Sequence, residues 1–481
     1  MTIVDTVEST DIQASSSRSR LVAFVVAVSF FMQMLDATIV VTSLPQMAQS
    51  FGVQPVAMSI GLTVYMLTMA AFIPLSGWLG NRYGARNVFM AAIAIFVVAS
   101  LFCGLSNTLA EFIAARAIQG FGSALMNPIG RMIVLRNAPK RDLVNAVALI
   151  TWPALIAPVI GPVLGSVITT YASWHWNFFI NIPIGLIGLA LVWHFVPQQK
   201  EADTGRLDLA GFVLSALGLT LLLAGLESFV HATVSAYQVV ALLAVGIGLS
   251  AWAIRHFRKT ANPLLDLSPF AIPTFALSTL SAGTASRLAI NAMPFLIPLL
   301  FQVGFGLDAI ATGTYILVYF AGNLAMKSVT TPLLRRFGFR TILVFNGLIA
   351  SASIAACAIL SPATPDLAIY ALLFVAGLSR SMQFTALNTL GFADITPTQR
   401  SSASTLSSML QQFAMVLGVA VAAAVLSVSQ HLRGAAALSL TDFRWSFLAI
   451  GTIGMLASLR FFELQRNAGA EVSGHSPARG R

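Results

Sequence analysis

Apolar residues fall along this chain in blocks of about twenty, separated by short polar connectors. A helix rises about 1.5 Å per residue and needs about 20 apolar residues to cross the hydrocarbon core of a bilayer. The blocks near 21–44, 55–79, 88–106, 109–135, 143–170, 175–196, 208–228, 236–255, 274–302, 309–331, 339–360, 366–392, 403–429 and 444–463 have that length. The pattern predicts an all-α membrane protein of about fourteen crossings, with about twelve as the lower limit. No connector is long enough for a sizeable soluble domain. The first 20 residues are polar and Ser-rich, unlike a cleavable leader, and the apolar block that follows is too long for one.

Composition agrees with the pattern. Of 481 residues, 57% are hydrophobic and only 9% charged, with a mean hydropathy of +0.83, too apolar for soluble domains of this size. The net charge of +10 has a topological explanation. Arg82 and Arg86, then Arg136, Lys140 and Arg141, then Lys200 and Arg206, then Arg255, Arg258 and Lys259, then Arg335, Arg336 and Arg340 occupy every second connector. The connectors 45–54, 107–108, 171–174, 229–235, 303–308 and 361–365 contain neither Lys nor Arg. Basic loops stay in the cytoplasm, so both termini are expected there. Only Arg433 and Arg444 cut against the alternation. The basic balance therefore points to a lipid bilayer and not to nucleic acid. Cys103 and Cys357 lie inside spans and read as buried small hydrophobes.

Asp36 stands alone in the first apolar block. A carboxylate in a crossing helix costs about 2.5 kcal/mol or more to insert, so it is expected to face a cavity and to have a function. Burial disfavours its charged form and so favours proton uptake, which a proton-coupled carrier requires. Arg116, in the fourth block, is a candidate partner because a buried cation must meet an acid, carbonyls or water. Three more cations, Arg287, Lys327 and Arg380, lie within apolar blocks, whereas Glu111 and Glu227 lie near block ends. The interior is thus biased positive. These three are candidates for substrate or coupling roles, and Gln302, Asn323, Gln383 and Asn388 for neutral polar contacts. No phosphate loop, metal-spaced Cys/His set or nucleophile–base set appears, so no cofactor, metal or enzymatic activity is expected. Energy must come from a gradient.

One connector is repeated. Arg82-Tyr83-Gly84-Ala85-Arg86 returns as Arg336-Phe337-Gly338-Phe339-Arg340, eight spans later. That spacing suits two six-helix halves separated by two added helices, an arrangement in which the substrate site lies between repeats near the midplane. The expected organisation is a cytoplasmic tail at 1–20, a first half at 21–196, a loop at 197–207, two inserted helices at 208–255, a linker at 256–273, a second half at 274–463 and a tail at 464–481.

The stretch Gly77-Trp78-Leu79-Gly80-Asn81-Arg82-Tyr83-Gly84-Ala85-Arg86 resembles the signature loop of the major facilitator superfamily. Arg116-Ala117-Ile118-Gln119-Gly120-Phe121-Gly122 resembles the Arg segment of its fourth helix, and Ala157-Pro158-Val159-Ile160-Gly161-Pro162-Val163-Leu164-Gly165 its antiporter motif. Leu35-Asp36-Ala37-Thr38-Ile39-Val40 and Ser173-Trp174-His175-Trp176-Asn177-Phe178-Phe179-Ile180-Asn181-Ile182-Pro183-Ile184-Gly185 are similar to segments of its fourteen-helix drug:proton antiporter branch. Around Met326-Lys327 and Arg336-Phe337-Gly338 the likeness extends to multidrug proteins of the MdtD type. The resemblance covers roughly residues 20 to 465.

It implies the major facilitator fold, with Asp36 and Arg116 in proton coupling. Gly77, Asn81, Arg82, Gly84 and Arg86 would form the conformational loop. Pro158, Gly161, Pro162 and Gly165 would limit leak and set the direction of exchange. Three positions depart from the pattern. Asn81 stands where the loop usually has an acid, which implies a retuned conformational balance; His175 replaces a common Arg, and Ser166 a common Gly.

Together these features predict a monomeric, proton-coupled exporter of drugs or small organic compounds in a bacterial inner membrane. A second possibility keeps the carrier but makes its cargo an anionic metabolite or metal chelate such as a carboxylate. A third, from another class, is a non-transporting membrane sensor or scaffold, which the missing soluble domains disfavour.

Overall fold

The computed structural model describes residues 3–53, 58–139, 142–151, 153–198, 205–231, 235–307, 309–435 and 437–475. Among these residues the fold is entirely helical. The helices are α1 (Ile3–Ile39), α2 (Leu44–Phe51), α3 (Ser59–Phe72), α4 (Ser76–Tyr83), α5 (Ala85–Leu105), α6 (Leu109–Asn137), α7 (Leu143–Thr151), α8 (Pro153–Tyr171), α9 (Trp176–Phe179) and α10 (Asn181–Phe195). They continue as α11 (Leu209–His231), α12 (Ala236–Lys259), α13 (Pro273–Phe275), α14 (Ala282–Leu299), α15 (Ala309–Ala356), α16 (Asp366–Leu390), α17 (Arg400–Leu432), α18 (Leu440–Arg460) and α19 (Ala470–Ser473).

Eleven helical stretches among the described residues are long and apolar enough to cross a membrane. One of them, Ala311–Ile359, is two crossings joined at Gly338, whose φ of 73° breaks the helix. Helix α6, whose Glu111, Arg116, Arg131 and Arg136 lower its hydropathy, and helices α7 and α8 fall on the two remaining apolar blocks read in the sequence. The protein is thus a multi-pass, all-α membrane protein. Helix α1 begins at Ile3, inside the stretch read as a polar tail. No Gly or Pro interrupts residues 3–39, so nothing there stops the helix.

The chain divides into two compact units. The first comprises Met1–Leu222, Val245–Leu267 and Thr396–Met409. Helix α6 organises it, because glycines on three of its faces admit three neighbours. A Cβ on Gly120 would meet Tyr65 O of α3 at 2.6 Å, one on Gly122 would meet Ala92 O of α5 at 3.0 Å, and one on Gly130 would meet Phe30 of α1 at 2.7 Å. Backbones this close favour small residues at helix crossings. The first turns of α17 also belong to this unit: Ser404 Oγ donates to Pro128 O at 2.7 Å, and Arg131 donates to Ser407 Oγ at 2.9 Å. Asp208 ties the inserted helices to the following linker. Its carboxylate accepts from Gly211 N at 2.8 Å and Leu264 N at 3.2 Å, and pairs with His256 at 2.8 Å.

The second unit comprises Leu223–Ala244, Ser268–Ile395 and Leu410–Arg481. Here α15 and α16 touch backbone to backbone through Gly322, which faces Phe374 O, and Gly377, which faces Tyr319 O. The repeated loop recurs in three dimensions. Gly84 (φ 86°) and Gly338 (φ 73°) turn the chain identically in sign, a conformation that glycine adopts without steric cost. Two residues on from each, Arg86 lies over the Trp193 ring at 4.9 Å and Arg340 over the Phe462 ring at 5.7 Å. Both aromatics lie at the end of a long helical stretch, Trp193 near the end of α10 and Phe462 just after α18.

Candidate functional site

The first unit encloses a polar cluster around Asp36, near the end of α1. Asp36 is fully buried, as is Arg116 of α6. Arg116 Nη1 donates to Asp36 Oδ2 at 2.7 Å. The other carboxylate oxygen, Oδ1, accepts from Asn181 Nδ2 at 2.8 Å and Gln119 Nε2 at 3.0 Å. Both amides also donate to Ser100 Oγ of α5, at 3.2 Å and 2.8 Å. Ser100 in turn donates to Phe96 O at 2.8 Å. Five side chains from α1, α5, α6 and α10 thus share one network.

Local sequence explains how they meet. Arg116 and Gln119 are three apart and share a face of α6, and Arg116 Nη1 also donates to the Gln119 amide oxygen. Asn181 is the first residue of α10, where the chain leaves the short α9. Arg116 Nε reaches Gly61 O at 3.4 Å, and its guanidinium lies 4.3 Å from the centre of the Tyr65 ring. Tyr65 Oη pairs with Ser123 Oγ at 2.6 Å. Next along α1, α5 and α6, and on the adjoining α9, Ile39, Cys103, Phe112, Ala115 and Phe178 form part of a buried apolar cluster. A charged pair in such surroundings persists only if further hydrogen bonds satisfy it. Asp36 has three donors. Arg116 Nη2 and Asn181 Oδ1 are left buried without a partner.

The segment that resembles the antiporter motif adjoins this cluster. A Cβ on Gly161 would fall 2.1 Å from Thr38 Oγ1, and Thr38 donates to Ala157 O at 3.2 Å. Helix α8 therefore lies against α1 two residues beyond Asp36. Gly165 O accepts from Thr169 Oγ1 at 2.5 Å. Pro158 and Pro162 lie in α8, but their side chains fall outside the described residues.

The loop that resembles the family's signature, residues 77–86, occupies a different part of the same unit. Gly77 O accepts from Ser401 Oγ at 3.1 Å. Asn81 Oδ1 accepts from Arg136 Nη2 at 3.0 Å, so the neutral residue keeps a basic partner. Arg86 Nη1 reaches Val196 O at 3.5 Å, and Arg82 is exposed.

The remaining candidates belong to the second unit and do not form one cluster. Arg287 is buried and donates to Ser278 O at 2.6 Å and Asn388 Oδ1 at 3.1 Å. It caps a carbonyl at the break between the π-helical stretch Ala276–Leu280 and α14. Asn388 Oδ1 also accepts from Gln411 Nε2 at 3.0 Å. Gln383 donates to Leu343 O at 3.2 Å and accepts from Asn346 at 3.1 Å. Lys327 Nζ donates to Thr385 Oγ1 at 2.7 Å. The Arg380 guanidinium lies 5.8 Å and 6.0 Å from the ring centres of Tyr319 and Phe320. Asn323 is fully buried, and neither of its side-chain polar atoms has a hydrogen-bond partner. Gln302 is exposed, within the π-helical stretch Leu300–Gly304.

Asp36 and Arg116 stand out in the sequence, whereas Gln119, Asn181 and Ser100 do not. The three-residue spacing from Arg116 was the signal for Gln119. For Ser100 and Asn181 there was none, because a lone neutral polar residue in a crossing looks the same whether or not it touches a charge.

The description of the Major Facilitator Superfamily matches residues 26–419. The chain is 35% identical over 456 residues to the "Putative multidrug resistance protein MdtD" of Escherichia coli O6:H1, covering 94% of this chain and 96% of that protein. The protein of the same name from Shigella flexneri matches to the same extent. The fold is similar to the crystal structure of the human organic anion transporter MFSD10 (TETRAN), with a TM-score of 0.67 and 14% identity over 92% of this chain and 99% of that one. It is also similar to the proton:xylose symporter XylE bound to 6-bromo-6-deoxy-D-glucose, with a TM-score of 0.64 and 14% identity over 96% and 99% of the two chains.

Proposed function

The chain belongs to the major facilitator superfamily, and from that premise we infer that it is a proton-coupled multidrug exporter working by alternating access. Asp36 takes a proton from outside, and its release inside is exchanged for outward movement of a small organic compound. The observation that carries this reading is the buried contact of Asp36 with Arg116. A proton on Asp36 removes the charge that Arg116 faces. The cluster therefore has two electrostatic states, as coupling of a proton to a conformational change requires.

The named multidrug relatives support drugs as cargo. We place the protein in a bacterial inner membrane, in line with its bacterial relatives, and its termini in the cytoplasm on the strength of its alternating basic connectors; we read it as a monomer. The matched pairs Arg86–Trp193 and Arg340–Phe462 support two repeated halves flanking the inserted helices.

The test is dye efflux from proteoliposomes under an imposed pH gradient. The protein exports cationic dyes only while the gradient stands, and Asp36→Asn abolishes the gradient-driven component. Equal efflux with and without the gradient overturns the reading.

A further inference from the structure

The two amides that hold Asp36 Oδ1 are not equivalent. Gln119 is engaged at both ends: its nitrogen serves Asp36 and Ser100, and its oxygen accepts from Arg116. Asn181 is engaged at one end only. Its nitrogen serves Asp36 and Ser100, while its oxygen is buried and has no partner. A buried amide oxygen without a donor has given up its hydration with nothing in return, so the orphan atom calls for a reason.

We propose that Asn181 is a positioning residue that reads the protonation of Asp36. Its amide donates to the ionised carboxylate and turns over to accept from the protonated one. This rests on the proton-coupled reading given above.

The chemistry follows from which oxygen can take the proton. Oδ2 faces the Arg116 guanidinium, which has donors only. The arriving proton therefore goes to Oδ1, which becomes a donor facing two N–H groups. One amide must turn. Gln119 cannot do so without surrendering its bond from Arg116. Asn181 can, because its terminal torsion has two broad minima and its free oxygen accepts the new O–H. After the turn, Asn181 holds the neutral acid, the N–H bonds it gave the anion and Ser100 are gone, and Gln119 still donates to Ser100.

The groups that bear on this site are few. Arg116 and Gln119 come from α6, Tyr65 and Gly61 O from α3, and Ser100 and Cys103 from α5. Among the described residues, α8 contributes to the cluster through Ala157 O on Thr38 and brings no charge. Among the described residues, apart from Asp36, only Arg116, Tyr65 and Cys103 carry titratable groups here, and none of the three touches Oδ1.

The experiment pairs infrared difference spectroscopy with efflux on the full-length protein. The carboxylic C=O band of protonated Asp36 is identified by its loss in Asp36→Asn. In Asn181→Leu the band moves to higher wavenumber, because the acceptor for its O–H has gone. The pH profile of gradient-driven efflux moves as well, with half-maximal efflux at about tenfold lower proton concentration, since the charge-assisted donor to the anion is lost. Asn181→Val, a smaller apolar replacement that adds no charge, moves the band and the efflux profile the same way. It decides the question if the Leu variant does not fold.

A purely packing role lowers the maximal rate and leaves both band and profile unmoved, which overturns the proposal. Wild-type efflux that ignores the gradient sinks the transport reading instead, and the band shift in Asn181→Leu then still tests the amide.

Discussion

Arg116 Nη1 lies 2.7 Å from Asp36 Oδ2, and neither side chain is exposed. Removing one partner of such a pair leaves an uncompensated buried charge, at about 3–5 kcal/mol. Asp36→Asn and Arg116→Gln should each lower thermal stability in detergent markedly. The double variant should recover much of the loss, because it removes both charges together. Gradient-driven efflux should stay absent in all three. A double variant less stable than either single one would show that the pair is not the unit described.

Helix α8 can approach α1 so closely only because residue 161 has no side chain. Gly161→Ala puts a methyl group 2.1 Å from Thr38 Oγ1. Overpacking of this kind costs about 1–3 kcal/mol, and here the strain falls two residues from Asp36. Efflux per proton entering should drop, measured as dye moved against the alkalinisation recorded by a pH probe. A coupling ratio equal to wild type would separate this contact from the proton site.

Asn81 accepts a hydrogen bond from Arg136 at 3.0 Å where an acid would form an ion pair. Asn81→Asp should strengthen that bond by about 1 kcal/mol and favour the conformation in which it exists. Turnover should slow about fivefold, and raised ionic strength should restore part of it. An unchanged rate at every salt concentration would leave the neutral residue without a kinetic role.

Asp208 gives a pH dependence whose sign is fixed. Burial by itself raises its carboxyl, but hydrogen bonds from Gly211 N, His256 and Leu264 N outweigh that and hold it below the ordinary 3.8. A group depressed in the folded state stabilises fully above its unfolded value and ceases to as the pH falls through its folded one. The stability difference between wild type and Asp208→Asn should therefore be largest near neutral pH and shrink below about pH 4. Melting curves at several pH values check this, and a constant difference would contradict it.

The crossings, the lone carboxylate and the repeated loop were legible in the sequence for one reason. Each is a strong local contrast: apolar against polar, charged against apolar, a five-residue string against its copy. Gln119, Asn181 and Ser100 offer no such contrast. Asn177, four residues before Asn181, is just as buried, yet it bonds to Thr169 Oγ1 at 2.9 Å and to Ser43, away from any charge. Only the folding of α10 against α1 and α5 distinguishes the two. Arg287 illustrates the converse. Its charge drew attention as a candidate for cargo, and the structure shows it bound to a backbone carbonyl at a helix break that the sequence does not announce.

Helix α10 has Asn181 at one end, against Asp36, and Trp193 near the other, under Arg86. Twelve residues of rise at 1.5 Å separate them by about 18 Å. The two ends are thus fixed points on one stiff lever. A sideways shift of about 1 Å at the amide end tilts so short an arm by about 3°. The loop at the far end meets that tilt as a change in the seat beneath its guanidinium, with no intermediate residue obliged to move relative to its neighbours in the helix.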